Sequence, residues 1–448
     1  MRQTIILLIV ALIFTFNLFL LKGANAAQLV FNPQLNISEQ YSDNIFLSPE
    51  NQEDDYITNV DLNLTLQLLS RTAGLELVLD PSYNTFADHS NLDFWRYAGR
   101  LKLWNNFGRS TRLEITNDYL ETENPRDQSE NFSPDNPLIG PAISADTNRR
   151  GRNRYRTDIA KGLFTHQFGA KDNFYTGLQF DNLEQIDKVE GELLNDYENW
   201  QPSLGIEYWF NERWGFAIDG YYSNRNYVDL NDREEYTGSL KIQRAFSRLL
   251  TGFIEGHYTR LNFDKPSDDD YQIYEPSLGF AYIFQENAKF TLSVGYYIQD
   301  FDGPEKNQES MIVNSEIYKR WDFRTAYFSL IGKSGYDIND QGVQDLGLDI
   351  YYQARFEAGY NFTPRLSTSI FGSYRQDEYP NLDPKRRDQT WTTGAGLAYQ
   401  ALQWMNISLN YNYTNFGTDD PSQEFQEYVE NSAILKITLQ PTVPYRWN

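Results

Sequence analysis

The chain has 448 residues, a net charge of −23 and 16% aromatic residues, with a mean hydropathy of −0.62. It has no cysteine, which excludes a disulfide framework, a cysteine-ligated zinc site and thiol catalysis, and it has only three histidines. The acidic excess disfavours nucleic acid as a partner, because phosphates require a basic surface, and no apolar run is long enough for a polytopic helical membrane protein.

Residues 1–26 have the pattern of a secretory signal peptide. Arg2 lies in a short basic start, residues 5–21 are mostly apolar, and Ala24-Asn25-Ala26 supplies the small residues of a cleavage site. A retained membrane anchor is the alternative, although Asn17 interrupts the apolar stretch. We therefore expect the exported protein to consist of residues 27–448, forming one domain.

Strict alternation of apolar and polar residues dominates the rest of the chain and is typical of strands with two different faces. From residue 59 to residue 68, valine and leucine alternate with asparagine, aspartate, threonine and glutamine. The same alternation occurs at 75–84, 348–360 and 405–414. These patterns predict an all-β fold.

The connections between the predicted strands alternate in length. The short, turn-like set lies at 70–72, 106–109, 169–172, 211–213, 285–287 and 363–365. The longer, polar and acidic set lies at 43–55, 121–152, 183–195, 262–270, 300–308, 337–345, 377–388 and 416–426. Short turns on one side and long loops on the other are the mark of a transmembrane β-barrel.

The sequence thus predicts a closed antiparallel transmembrane β-barrel of about 20 strands, between about 18 and 22, with short periplasmic turns and long extracellular loops. A soluble β-sandwich or β-helix is disfavoured because the strands are long and their apolar faces end in aromatic rings. Closure requires that the last strand, Ala433–Pro441, pairs with the first, Leu29–Ile37.

Charged residues on the polar faces of the predicted strands are candidate pore-lining residues. They are Arg96, Arg100, Lys102, Arg112, Glu114, Arg154, Arg156, Asp349, Arg355 and Glu357. One interpretation is a wet, mixed-charge channel that suits neutral or weakly charged solutes. The other is a rigid, filled lumen in which these charges pair across strands.

The longest predicted loop, Glu121 to Asn153, changes from acidic to basic along its length and ends in a basic cluster of Arg149, Arg150 and Arg152. Three interpretations stay open: it folds inward and constricts the pore, it binds lipopolysaccharide phosphates, or it is an ordinary solvated loop.

The sequence predicts no metal site, no cofactor and no enzymatic activity. Acidic clusters such as Asp54-Asp55 lack the fixed spacing of a calcium-binding loop. The triplet Asp88-His89-Ser90 is the candidate for catalysis, but no oxyanion donors accompany it.

Five segments carry a family resemblance through their order and spacing. They are Ser38–Leu47, Leu346–Ala354, Tyr360–Ser367, Gly394–Gln400 and Pro444–Trp447. Together they resemble the putative β-barrel porin 2 family of Gram-negative bacteria, although each segment alone is weakly specific. Members of that family often accompany exopolysaccharide or exosortase gene clusters, so the resemblance implies passage of polysaccharide through the outer membrane.

We therefore expect a bacterial outer-membrane channel that is a porin-like conduit for secreted polysaccharide. The alternatives are a general diffusion porin for small solutes and a surface scaffold or adhesin with a plugged lumen. Expected partners are outer-membrane lipid and lipopolysaccharide, the barrel-insertion machinery acting on the C-terminal strand, polysaccharide, and a periplasmic export component.

Overall fold

The computed structural model describes residues 27–124, 154–187, 196–265, 270–285, 288–303, 307–341, 344–382, 385–421 and 427–447. The predicted signal peptide and most of the loop from Glu121 to Asn153 lie outside these ranges and stay predictions. Within the described ranges, no helix is long and apolar enough to cross a membrane. The helix η1 (Ser90–Leu92) is a single short turn.

Twenty long strands and one short terminal strand make up the fold. They are β1 (Gln28–Ser42), β2 (Asp55–Leu69), β3 (Ala73–Phe86), β4 (Phe94–Asn106), β5 (Thr111–Thr122), β6 (Tyr155–Gln167), β7 (Asn173–Gln185), β8 (Tyr197–Trp209), β9 (Trp214–Tyr227), β10 (Arg233–Ala245), β11 (Leu250–Phe263), β12 (Tyr271–Gln285), β13 (Ala288–Phe301), β14 (Gln308–Asp322), β15 (Ala326–Gln341), β16 (Gln344–Thr363), β17 (Leu366–Tyr379), β18 (Arg386–Leu402), β19 (Met405–Thr418), β20 (Tyr428–Leu439) and β21 (Tyr445–Trp447).

Each long strand pairs antiparallel with its neighbours in the chain, and β1 also pairs with β20, which closes the sheet into a barrel of 20 strands. The predicted closure and strand number are confirmed. The closing register differs from the prediction, because β20 pairs with Leu35–Ser42 while β21 pairs with Leu29–Phe31. Closure removes the free sheet edges, whose unpaired amides are costly in hydrocarbon.

The strand alternation produces an apolar outer face and a polar inner face. Leu204 and Leu278 lie outward and are 58% and 65% exposed on the isolated chain, as expected of side chains that contact lipid. Asn199 and Glu275 lie inward and are each only 1% exposed. Each strand therefore supplies one half of its residues to lipid and the other half to a polar interior.

The connections at one end of the barrel contain two to five residues, and we assign this end to the periplasm. At the other end they contain five or more residues, with one exception. Between β15 and β16, only residues 342–343 lie outside the two strands. The prediction of a loop at 337–345 is therefore wrong: both strands extend through that segment, and β16 reaches 20 residues.

Candidate pore and lumen site

The strand register determines which of the predicted residues face the lumen. On β4 and β5 the inward residues include Arg96, Arg100, Lys102, Arg112 and Glu114. Each basic group has a carboxylate partner. Arg96 Nη1 lies 3.1 Å from Asp80 Oδ2, Lys102 Nζ lies 3.4 Å from Glu114 Oε1, and Arg112 Nη2 lies 2.5 Å from Glu114 Oε2. Arg100 pairs with Asp118. This wall carries charge that is largely neutralised across neighbouring strands.

A second charged cluster lies on the inward faces of β16 and β17. Asp349, Arg355 and Glu357 face the lumen, as the sequence predicts, and Glu357 accepts a hydrogen bond from the Tyr327 hydroxyl. The guanidinium of Arg355 lies 4.7 Å from the centre of the Phe371 ring and 3.8 Å from Glu357. These groups hold one another in fixed positions on the wall.

Arg375 of β17, another charged residue on the polar face of a predicted strand, is the centre of this cluster. Its Nη2 lies 2.5 Å from Asp377 Oδ1 and 3.5 Å from Asp349 Oδ2, and its guanidinium lies 4.8 Å from the centre of the Tyr351 ring. The side chains of Arg375, Asp377 and Asp349 are 12%, 3% and 1% exposed. One cation thus compensates two nearly buried carboxylates.

Arg154 and Arg156 do not line the pore. The register aligns Arg156 with Glu121 on β5 and Glu184 on β7, on the same face as the lipid-facing residues of those strands. Arg154 pairs with Glu121 and Arg156 pairs with Glu184, at the extracellular rim of the outer surface. The sequence prediction was wrong here because a charged pair at a strand end lies above the apolar band, where either face meets water or lipid headgroups.

The predicted basic cluster of Arg149, Arg150 and Arg152 lies outside the described residues. Its proposed contact with lipopolysaccharide therefore stays a prediction.

The extracellular ends of β15 and β16 leave the barrel wall. The β14–β15 pairing ends at Ser315 and Ser334, although β15 continues to Gln341. Along the outer face of β16, exposure falls from 42% at Tyr352 to 9% at Ile350 and 1% at Leu348. The hairpin tip, residues 335–341 of β15 and 344–350 of β16, is therefore covered by protein at Ile350 and Leu348, where a wall strand would meet lipid.

Apolar contacts show where the hairpin tip lies. Leu348 and Ile350, with Tyr336 and Ile338, pack against side chains from the inner faces of β11 to β14. Those wall residues are Leu261, Tyr271, Ile273, Tyr297 and Ile312. Tyr336 also interacts electrostatically with the inward-facing Glu275 of β12, three strands away. The tip is thus folded into the lumen, with its nominally lipid-facing side against the inner wall formed by the preceding strands β11 to β14.

A polar cavity of about 790 Å³ lies between the inserted tip and the walls of β8 to β14. Rings of Tyr221, Phe253, Tyr336 and Tyr351 line it together with hydroxyl, amide and charged groups. Several of its charged groups are paired: for example, Lys241 Nζ lies 2.9 Å from Glu255 Oε1 and Lys289 Nζ lies 3.5 Å from Glu316 Oε2. The cavity offers ring faces and many hydrogen-bonding groups with little net charge. We regard it as the candidate functional site.

The first extracellular loop covers another part of the mouth. Ile45 is fully buried against Ile57, Phe86 and Phe94, all from the inward faces of β2 to β4. Sequence reasoning missed this contact. Asn44 and Ile45 lie in a segment without strand periodicity, so the sequence pattern gave no indication that the Ile45 side chain is buried.

His89 fixes this loop to its neighbour. Its Nδ1 lies 2.8 Å from Asp55 Oδ2 and its Nε2 lies 2.7 Å from Glu53 Oε2. The hydrogen bond with the Asp55 carboxylate raises the pKa of His89, partly opposed by burial. Asp55 also accepts backbone N–H groups from Ala87 and Asp88. The triplet at 88–90 thus forms a clasp between two loops.

Within the described residues, no group of three or more histidine and carboxylate side chains is arranged to hold a metal ion. The carboxylates and basic groups instead pair with one another along the wall.

A closed 20-stranded barrel with a lipid-facing apolar surface and a polar, mixed-charge lumen defines a porin-like outer-membrane β-barrel. The family model described as putative beta-barrel porin 2 matches residues 232–441, which confirms the family resemblance seen in the sequence. The match covers β10 to β20, which include the inserted hairpin and most of the strands that line the cavity, but not β8 and β9.

Solved structures similar to this chain include porins of two organisms. OccK2 (OpdF) of Pseudomonas aeruginosa has 16% identity and a TM-score of 0.41, covering 92% of this chain and 98% of its own. OccAB3 of Acinetobacter baumannii has 11% identity and a TM-score of 0.39, covering 93% and 99%. OprD of Pseudomonas aeruginosa has 12% identity and a TM-score of 0.39, covering 92% and 95%. No curated protein matches the chain.

Proposed function

We propose that this protein is an outer-membrane conduit for secreted polysaccharide. The observation that carries the proposal is the cavity of about 790 Å³ in the lumen, which combines ring faces with hydroxyl, amide and charged groups. A sugar presents an apolar ring face and a rim of hydroxyls, so it matches a wall that offers both aromatic and hydrogen-bonding surfaces.

The charge of the wall favours a neutral or weakly charged polymer. Lys241 and Glu255, and Lys102 and Glu114, each pair within hydrogen-bonding or ion-pair distance. Paired charges produce only a weak field, so the lumen neither concentrates nor repels a strongly charged solute. The association of the resembled family with exopolysaccharide gene clusters supports the same substrate class.

A general diffusion porin for small solutes is the second candidate, and the same mixed-charge wall favours it. The two candidates differ in what happens to polymer. A dedicated conduit is required for surface polysaccharide, whereas a general porin is dispensable for it. A plugged scaffold or adhesin is a third candidate, which the inserted hairpin favours.

Two adjacent tyrosines of β16 provide a matched test in cells. Tyr351 lines the cavity, whereas Tyr352 lies on the outer face and is 42% exposed. Deletion of the gene should trap polymer in the periplasm, and the wild-type gene should restore it to the surface. Complementation with Tyr351→Ala should restore less surface polymer than complementation with Tyr352→Ala at equal amounts of folded barrel.

Normal surface polymer in the deletion strain would contradict the polysaccharide proposal. If the same strain then lost uptake of small sugars, the general porin would be supported in its place. The partners expected from the sequence, including a periplasmic export component, lipopolysaccharide and the barrel-insertion machinery, belong to this proposal.

A further inference from the structure

We propose that the hairpin tip of β15 and β16 is a gate, which occupies the lumen in the closed state and returns to the barrel wall in the open state. This inference rests on the channel function and not on the identity of the solute. Three features of the described residues carry it: an interrupted strand pairing, a register that fits its completion, and an apolar face that suits both positions.

The interruption leaves a usable strand edge. β14 begins at Gln308, yet its pairing with β15 starts only at Ser315, while β13 covers its other side from Gln308 onward. At the branch point, the Ser334 hydroxyl donates to the Val313 carbonyl at 2.7 Å. The edge of residues 308–314 thus lies next to the departing strand, and an unpaired edge is a template for another strand.

Continuing the register beyond Ser315 and Ser334 completes the wall. It places Asn314 opposite Gly335, then Val313 opposite Tyr336, and ends with Gln308 opposite Gln341, the last residue of β15. The two unpaired segments therefore have equal length. This equality in length is expected if the end of β15 can also occupy a position in the wall beside β14.

The side-chain pattern also fits the completed wall. In the continued register, Val313 with Tyr336 and Met311 with Ile338 face outward, as apolar cross-strand pairs on the lipid side. Met311 is already 68% exposed on that side. The same outward face on β16 carries Leu348 and Ile350, so the tip presents four apolar side chains on the face that the completed wall would turn toward lipid.

The apolar face of the tip is shielded from water in both positions. Neither position therefore carries the free-energy cost of exposing that face to water. In the closed state the face packs on the inner wall, and in the open state it contacts lipid, which is as apolar as protein. The closed state gains the interaction of Tyr336 with Glu275. The open state gains the backbone pairs of residues 308–314. Opposed gains of this kind allow a population shift.

The test uses cysteine pairs, which are clean because the natural chain has no cysteine. The variant Val313→Cys/Tyr336→Cys joins two positions that face each other only in the completed wall. The variant Ser315→Cys/Ser334→Cys is the matched control, because these side chains are already paired, with 2.9 Å between their hydroxyl oxygens. Each purified variant is oxidised, checked for the crosslink by mass spectrometry, and measured in planar bilayers.

The control should crosslink without a change in conductance. The Val313→Cys/Tyr336→Cys variant should also crosslink, more slowly, and its conductance should rise on oxidation and fall again on reduction. Absence of its crosslink under conditions that fully crosslink the control would overturn the proposal, as would a crosslink that leaves conductance unchanged.

A second variant tests the closed-state contact without a crosslink. Tyr336→Phe keeps the ring on the inner wall but removes the hydroxyl that interacts with Glu275, so it should increase the fraction of time spent in the high-conductance state. Tyr274→Phe on the outer face of β12 removes a hydroxyl that bonds Gln272 instead, and should leave gating unchanged. Equal gating in the two variants would contradict the assignment of Tyr336 as a closed-state contact.

Discussion

Removal of the Arg375 guanidinium should destabilise the barrel far more than removal of an exposed lysine. Arg375 compensates Asp377 and Asp349, whose side chains are 3% and 1% exposed. Loss of one partner of a buried ion pair leaves an uncompensated charge and typically costs about 3 to 5 kcal/mol. We expect Arg375→Met to lower the free energy of unfolding by about 3 kcal/mol, the lower end of that range, because the lumen admits water.

Lys289→Met is the matched control. Lys289 Nζ lies 3.5 Å from Glu316 Oε2, and the two side chains are 55% and 58% exposed. An exposed pair of this kind contributes about 0 to 1 kcal/mol, so this variant should unfold nearly as the wild type does. Urea unfolding in detergent micelles, followed by tryptophan fluorescence and by heat-modifiable gel mobility, measures both variants.

A second substitution should partly restore the stability lost in Arg375→Met. In Arg375→Met/Asp377→Asn one of the two stranded carboxylates is gone and only Asp349 remains. The double variant should therefore be more stable than Arg375→Met alone, because the two neighbouring substitutions are coupled. Equal losses in Arg375→Met and Lys289→Met, or no recovery in the double variant, would refute the assignment of Arg375 as the compensating charge of this cluster.

Two further predictions concern the loops and the wall. Because the hydrogen bond with Asp55 raises the pKa of His89, its protonated form stabilises the fold at low pH, and that contribution is lost as pH rises through the raised pKa. The difference in unfolding free energy between wild type and His89→Gln should therefore be larger at about pH 5 than at about pH 9, and a difference independent of pH would contradict it. Gly74→Ala should destabilise the barrel in the same urea assay, because its Cβ would lie 2.2 Å from the Trp104 ring, whereas Gly162→Ala meets nothing within 4 Å and should not. Equal stability of the two alanine variants would show that the Trp104 ring moves aside freely.

Sequence alternation was sufficient for the barrel because it is a local property. In residues 60–68 each lipid-facing side chain is followed along the chain by a polar one. This pattern is present whichever strand lies beside the segment. The strand number, the closure and the inward position of Arg96 and Arg100 follow from this pattern. Their carboxylate partners do not, since they depend on the register between strands.

The inserted hairpin was not predictable from alternation. Tyr336, Ile338, Leu348 and Ile350 have the spacing of lipid-facing residues, and the pattern does not distinguish contact with lipid from contact with the inner wall of neighbouring strands. The choice depends on the long-range contact with Tyr271 and its neighbours on β11 to β14. The polar composition of residues 337–345 reinforced the wrong prediction of a loop, because a lumen strand has the same composition.

The outward position of Arg154 and Arg156 has a similar explanation. Near the extracellular rim the apolar alternation stops, so the polar face no longer marks the lumen. Only the pairing with Glu121 and Glu184 on neighbouring strands fixes the face. Residues at strand ends are therefore the least reliable part of a pore lining predicted from sequence.

Single-channel recording of the purified protein in planar bilayers tests the central claim, that the barrel is a channel, most directly. The account predicts stepwise conductance, with brief openings in the wild type and a sustained open level in the oxidised Val313→Cys/Tyr336→Cys variant. A barrel that is shown by heat-modifiable mobility to be folded, and that stays silent in both forms, would contradict it.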